Sequence, residues 1–164
     1  MSKKQKAGVT RQVFALRREG HRYAAPYLDG RRAEGNTGVG GWGVLMLWGS
    51  QKKELYGGAR QTTNNRMELT AVISALSSLK RRVPVVIHTD STYVRNGIVA
   101  WIADWKTEGW RNSCGKIVKN VELWKKLYRL VSQLPIEWQW VKGHDGDPGN
   151  ERSDELANMG CTTA

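Results

Sequence analysis

VPVVIHTD (83–90) is a compact, β-branched run closed by an aspartate, and its reading decides the fold class. Consecutive apolar residues, rather than alternating ones, suit a strand buried on both faces, and such strands belong to parallel sheets covered by helices. The next stretch agrees, since STYVRNGIVAWIADW (91–105) opens on a Ser/Thr cap and carries helical periodicity. Outward from this β-α unit the chain keeps alternating. Upstream, RYAAPYLDG (22–30) reads as a short strand ending at Asp29, although Pro26 cannot donate to a ladder. A glycine-rich turn, GNTGVGG (35–41), leads into a strand at GWGVLMLWG (41–49), and ELYGGARQ (54–61) reads as a third. A helix is expected over 63–80. Downstream, KNVELWKKLYRLVSQL (119–134) is amphipathic, with Val121, Trp124, Leu127 and Val131 on one face. IEWQWVKGH (136–144) alternates as a fifth strand, and NERSDELANMG (150–160) is a helix with Asn150 as its expected N-cap and Gly160 as its stop. The order βββ-α-β-α-α-β-α describes an α/β domain with a five-stranded mixed sheet and flanking helices.

Composition narrows the function classes. The 164 residues suit one domain, no apolar run has the length of a membrane span, and no signal-peptide segment follows Met1. Two cysteines, Cys114 and Cys161, are too few for a disulfide framework and point to reduced thiols in a cytoplasmic protein. The net charge of +11 points to a polyanionic partner, most often nucleic acid. That charge is uneven: residues 1–28 hold seven Lys/Arg against one Glu. The expectation is a flexible basic extension over 1–20, followed by one folded domain over 21–162. As a basic tail, the extension would add non-specific affinity for a polyanion. An organelle-targeting segment and a merely solubilising end fit the same composition.

Four carboxylates stand out. Asp29 and Asp90 each close an apolar strand, where open α/β sheets place ligands, although a strand-end aspartate is also a routine turn former. Glu68, in TTNNRMELTA (62–71), shares a helical stripe with Val72, Ala75 or Leu76, and Leu79. A carboxylate on such a stripe is costly unless it is paired, capped or bound to metal. The spacing Asn65-x-x-Glu68 also fits a capping box. Asp154 sits early in the last helix, where it would complement the helix dipole or join a cluster. Converging carboxylates in a basic chain suit hard divalent cations and phosphodiester chemistry. His144, in a Gly/Pro/Asp loop, fits a mobile general acid or an ordinary exposed histidine. The histidines and cysteines lack zinc-ligand spacing.

The motifs DG (29–30), GNTGVGGWG (35–43), TTNNRMEL (62–69), TDS (89–91), GIVAWI (97–102), VKNVELW (118–124), WVKGH (140–144) and GNERSDELA (149–157) resemble type 1 ribonuclease H, of the bacterial ribonuclease HI kind. They occur in the family's order over residues 23–160 or so. The resemblance implies the ribonuclease H-like fold and endonucleolytic cleavage of the RNA strand of RNA–DNA hybrids, leaving 5′-phosphate and 3′-hydroxyl ends. It implies dependence on Mg²⁺, with Mn²⁺ as a substitute, and two ions per site when substrate is bound. The metal-binding carboxylates fall on Asp29, Glu68, Asp90 and Asp154, and the loop histidine on His144. Asn36, Asn64 and Asn65 resemble the minor-groove set, while Thr63, Arg66 and Asn120 match positions that hold a DNA-strand phosphate. Trp101 and Trp105 lie in the stretch corresponding to the basic protrusion, where they pack the helix or touch DNA sugars. A cytoplasmic monomer follows from the same resemblance. The chain departs from the pattern in three places. Arg31 stands where the family has serine after Asp-Gly, Pro26 stands where it has a regular strand, and Asp104 and Glu108 dilute the protrusion. The rivals left open are a DNA-cutting nuclease of the same superfamily and a hybrid-binding module without catalysis.

Overall fold

The structure is a computed structural model that describes residues 11–19 (backbone only), 38–48, 50–140 and 148–164. Five strands, β1 (Arg11–Glu19), β2 (Gly38–Trp48), β3 (Gln51–Thr62), β4 (Val85–Thr89) and β5 (Ile136–Trp140), form one sheet in the order β3-β2-β1-β4-β5. β1, β2 and β3 run antiparallel in sequence, whereas β4 lies parallel to both β1 and β5. The mixed five-stranded sheet is as expected, but its first strand is not. The slot between β2 and β4 is filled by Arg11–Glu19, residues read above as part of the basic extension. RQVFALRRE offers an apolar Val-Phe-Ala-Leu run with every backbone donor present, as a strand paired on both sides requires. RYAAPYLDG, with Asp29, lies outside the described residues.

The helices are α1 (Asn64–Ser77), α2 (Thr92–Asn96), α3 (Ile102–Thr107), α4 (Val121–Val131) and α5 (Pro148–Thr163). One turn of π-helix, Gly97–Trp101, joins α2 to α3 where the sequence reads as a single helix. A Cβ at Gly97 would fall on the indole ring of Trp124, so the backbone can approach the core this closely only without one. Two layers sandwich the sheet. α1 lies on one face and packs on α4, and α5 crosses the other face over β2 and β3. The alternation of β2 shows the division. Met46 accepts a hydrogen bond from Ser78 Oγ at the end of α1 (3.3 Å), while Gly41 and Gly43 lie against the backbone of α5. Between sheet and α1 sits the core of Val44, Met46, Leu69, Val72, Leu76, Val85, Ile87, Trp124 and Leu127. Trp124 and Leu127 are fully buried, as the amphipathic reading of 119–134 requires.

Two end signals in the last helix are corrected. Asn150 is not the N-cap but a buried residue inside α5, because Pro148 supplies the first helical position, where its missing N–H costs nothing. Gly160 does not stop the helix. It lies against the Gly57 carbonyl of β3, and α5 runs on to Thr163. α5 is also held to β3 by charge: Arg152 donates to both carboxylate oxygens of Glu54 (2.8 and 3.0 Å) and to Glu155 (2.6 Å). The Arg152 hydrogen bonds hold the Glu54 carboxyl below its ordinary 4.5. A depressed folded-state pKa stabilises above that ordinary value and loses its contribution as pH falls through the folded value. Glu54→Gln is therefore expected to lower stability at pH 7 by at most about 1 kcal/mol, the site being partly exposed. The deficit should shrink towards pH 3, as urea unfolding at the two pH values would show.

Candidate active site

Three of the four expected carboxylates lie among the described residues, and each is placed by a different element. Asp90 follows the last residue of β4, half-buried at the strand's carboxyl end. Glu68 stands in the second turn of α1, 6% exposed. Its capping-box reading fails, because the N-cap of α1 is Thr63, whose side chain accepts the Arg66 N–H (3.3 Å), and Asn65 lies inside the helix. The Glu68 carboxylate instead accepts a hydrogen bond from the Ser91 hydroxyl. Ser91 is buried and committed on every side. Its oxygen caps α2 by accepting the Val94 N–H (3.0 Å), and its own N–H donates to Thr89 Oγ1 (3.2 Å). One serine thus ties the α1 carboxylate to the residue beside Asp90.

Asp154 follows Ser153, which is fully buried, and the Ser153 carbonyl lies against Gly43 of β2. The register carries this level across the sheet: Gly43 pairs with Leu16 of β1, two residues beyond the Phe14–His88 pair with β4. The row therefore ends level with Asp90. Glu68 and Asp90 are thus brought together at the carboxyl end of β4, while Asp154 lies on α5 over β2 at the same level of the sheet. The donors are all oxygens, which suits a hard divalent cation. Among the described residues, however, no three His, Cys, Asp or Glu stand close enough to hold a metal ion. Asp29 and His144 lie outside the described residues. The carboxyl end of β1 itself reads Arg17-Arg18-Glu19, with no aspartate.

Beside this edge lies a second, polar constellation. Arg66 donates to Asn120 Oδ1 (3.0 Å) and pairs with Glu122 (2.6 Å), whose carboxyl the Arg66 hydrogen bond pulls below its ordinary value. Thr63, Arg66 and Asn120 are thereby brought together across 54 residues of sequence between Arg66 and Asn120. Asn64 is half-buried and Asn65 exposed on the first turn of α1; Asn36 lies outside the described residues. Trp101 and Trp105 belong to an aromatic chain: Tyr93–Trp101 at 6.1 Å, Trp101–Trp105 at 5.6 Å and Trp105–Trp124 at 5.3 Å between centroids. Trp101 remains 37% exposed and, with Asp104, Trp105, Glu108 and Arg111, lines a cavity of about 800 Å³. Sequence reasoning missed Ser91, Tyr93 and Glu122. Ser91 was visible only as a cap, and nothing local marks the other two.

Comparison with known proteins agrees with this architecture. The RNase H family model matches residues 22–162. A ribonuclease H of Neisseria meningitidis serogroup C is 59% identical over 135 residues, covering 82% of this chain and 92% of that protein. One from Bordetella pertussis is 57% identical over 138 residues, covering 84% and 88%. Among solved structures, LC9-RNase H1, a type 1 RNase H with the type 2 active-site motif, superposes with a TM-score of 0.76 at 30% identity, covering 95% of this chain and 74% of that one. The chain belongs to the ribonuclease H family, of the bacterial type 1 kind, and is an enzyme that hydrolyses the RNA strand of RNA–DNA hybrids endonucleolytically. A divalent-metal requirement goes with the family. No described helix is long and apolar enough to cross a membrane.

Proposed function

We propose that the hydrolysis runs at the carboxyl end of β4, where Glu68 is tied beside Asp90, with Asp154 and Asp29 as the other two carboxylates of the set. The observation that carries this reading is the buried Glu68 carboxylate, engaged by Ser91 and drawn to the residue beside Asp90. A buried carboxylate held this way costs folding energy, which a structural glutamine would avoid, so its charge is best explained by chemistry. Mg²⁺ or Mn²⁺ bound as a pair by these oxygens would neutralise the scissile phosphate and lower the pKa of an attacking water. The protein's own part is to fix the carboxylates and to hold the substrate in line for displacement. His144 would hand a proton to the departing 3′-oxygen, leaving 5′-phosphate and 3′-hydroxyl ends.

Substrate is gripped through the backbone of the hybrid. Thr63, Arg66 and Asn120 would take a phosphate of the DNA strand, and Asn36, Asn64 and Asn65 would meet the minor groove, where the 2′-hydroxyl distinguishes RNA. The exposed face of Trp101, with Trp105 behind it, would lie on DNA sugars. Cys114 is an exposed thiol, which supports a reducing, cytoplasmic setting, and we read the protein as a monomer.

The test is cleavage of a 5′-labelled RNA strand within a hybrid by wild type, Asp90→Asn and Asp29→Asn, each with Mg²⁺, Mn²⁺ or EDTA. Cutting should require metal and fall by about 10²–10³-fold in both variants, the equivalent of about 3–4 kcal/mol of charge stabilisation. Full activity in Asp90→Asn would move catalysis away from this edge. Full activity in Asp29→Asn alone would remove that residue from the set. Tight hybrid binding without cutting under any metal would favour a binding module.

A further inference from the structure

Asn120 is an unusual N-cap. Asparagine is a preferred residue there because its side chain accepts the first free N–H groups of its helix, yet Asn120 makes no such bond to α4. It also stands in the left-handed region, at φ 58° and ψ 31°, which asparagine adopts more readily than other non-glycine residues. Its amide is used elsewhere: Oδ1 accepts from Arg66 (3.0 Å), and Nδ2 donates to the Tyr93 hydroxyl (3.2 Å). The same hydroxyl accepts the indole N–H of Trp124 (2.9 Å), a fully buried side chain of the core. Tyr93 packs on the Trp124 ring at 5.2 Å and on Trp101 at 6.1 Å, so its own position is set by the core. A phenolic oxygen has two lone pairs, and both are taken by donors.

We propose that the Tyr93 hydroxyl is a positioning group for substrate binding. It transmits the fixed geometry of buried Trp124 to Asn120 and, through Asn120, to Arg66. Two donors converging on one oxygen determine which end of the Asn120 amide faces Tyr93, and leave its oxygen for Arg66. Without the hydroxyl, Nδ2 is released and Asn120 gains an alternative, turning back to cap α4. The missing side-chain cap then has a cause: the side chain is held for another partner. This inference rests on the reading of Thr63, Arg66 and Asn120 as the phosphate-holding set.

Tyr93→Phe removes the hydroxyl and keeps the ring. Measured well below the unfolding temperature, KM for an RNA–DNA hybrid should rise roughly fivefold to tenfold while kcat stays within about twofold. The Kd for hybrid in EDTA, read by fluorescence anisotropy, should rise by the same factor. Asn120→Ala should weaken binding at least as much, and Tyr93→Phe added to it should weaken binding no further. Independent, additive losses would reduce Tyr93 to a packing residue and overturn the proposal. Unchanged binding in Tyr93→Phe with a loss in Asn120→Ala would overturn the positioning role alone. Unchanged binding in Asn120→Ala would remove the phosphate-holding reading beneath it.

Discussion

Glu68→Gln is expected to cut hybrid cleavage by about 10²–10³-fold in either Mg²⁺ or Mn²⁺ and to leave the fold at least as stable in EDTA. The amide oxygen of glutamine can still accept the Ser91 hydroxyl, so the tie between α1 and the end of β4 survives. What disappears is a buried negative charge, which is a cost to folding. Activity and stability should therefore move in opposite directions. A carboxylate serving only as a structural anchor would give the reverse pattern, with a falling unfolding temperature and unchanged cutting. Thermal unfolding in EDTA beside a cleavage assay decides between them.

Gly43→Ala should carry the largest structural penalty of the single changes considered. Its new Cβ would be driven into the backbone of α5 at Ser153 and Ala157, atoms that cannot step aside as a flexible side chain would. Forced separation of sheet and helix costs about 3 kcal/mol, which for a chain of this length lowers the unfolding temperature by roughly 6–12 °C. Asp154 rides on the displaced helix, so activity should fall with stability. Gly38→Ala, where nothing lies within 4 Å of the new carbon, is the control on the same strand. Matching unfolding temperatures for the two variants would contradict the close packing of α5 on β2.

Much of this was legible in the chain because the deciding signals are local. The β-branched run before Asp90, the amphipathic face of Trp124 and Leu127, and the apolar stripe through Glu68 each report their own surroundings. What was misread depends on choices between distant segments. Two stretches compete for the strand between β2 and β4, and periodicity cannot say which one the neighbouring strands accept. Arg11–Glu19 holds it, and RYAAPYLDG lies outside the described residues. Asn150 failed as a cap because Pro148 upstream began the helix sooner. Tyr93 left no trace, since its partners lie 27 and 31 residues away.

The position of β1 also bears on how the protein can be shortened. The stretch that matches the family begins at residue 22, after β1 has ended at Glu19. A chain trimmed to that stretch would lack Arg11–Glu19, which pairs with β2 at eight positions and with β4 at four. Three of the seven basic residues in 1–28, Arg11, Arg17 and Arg18, belong to this central strand. The positively charged beginning of the polypeptide thus overlaps a strand that is paired on both sides.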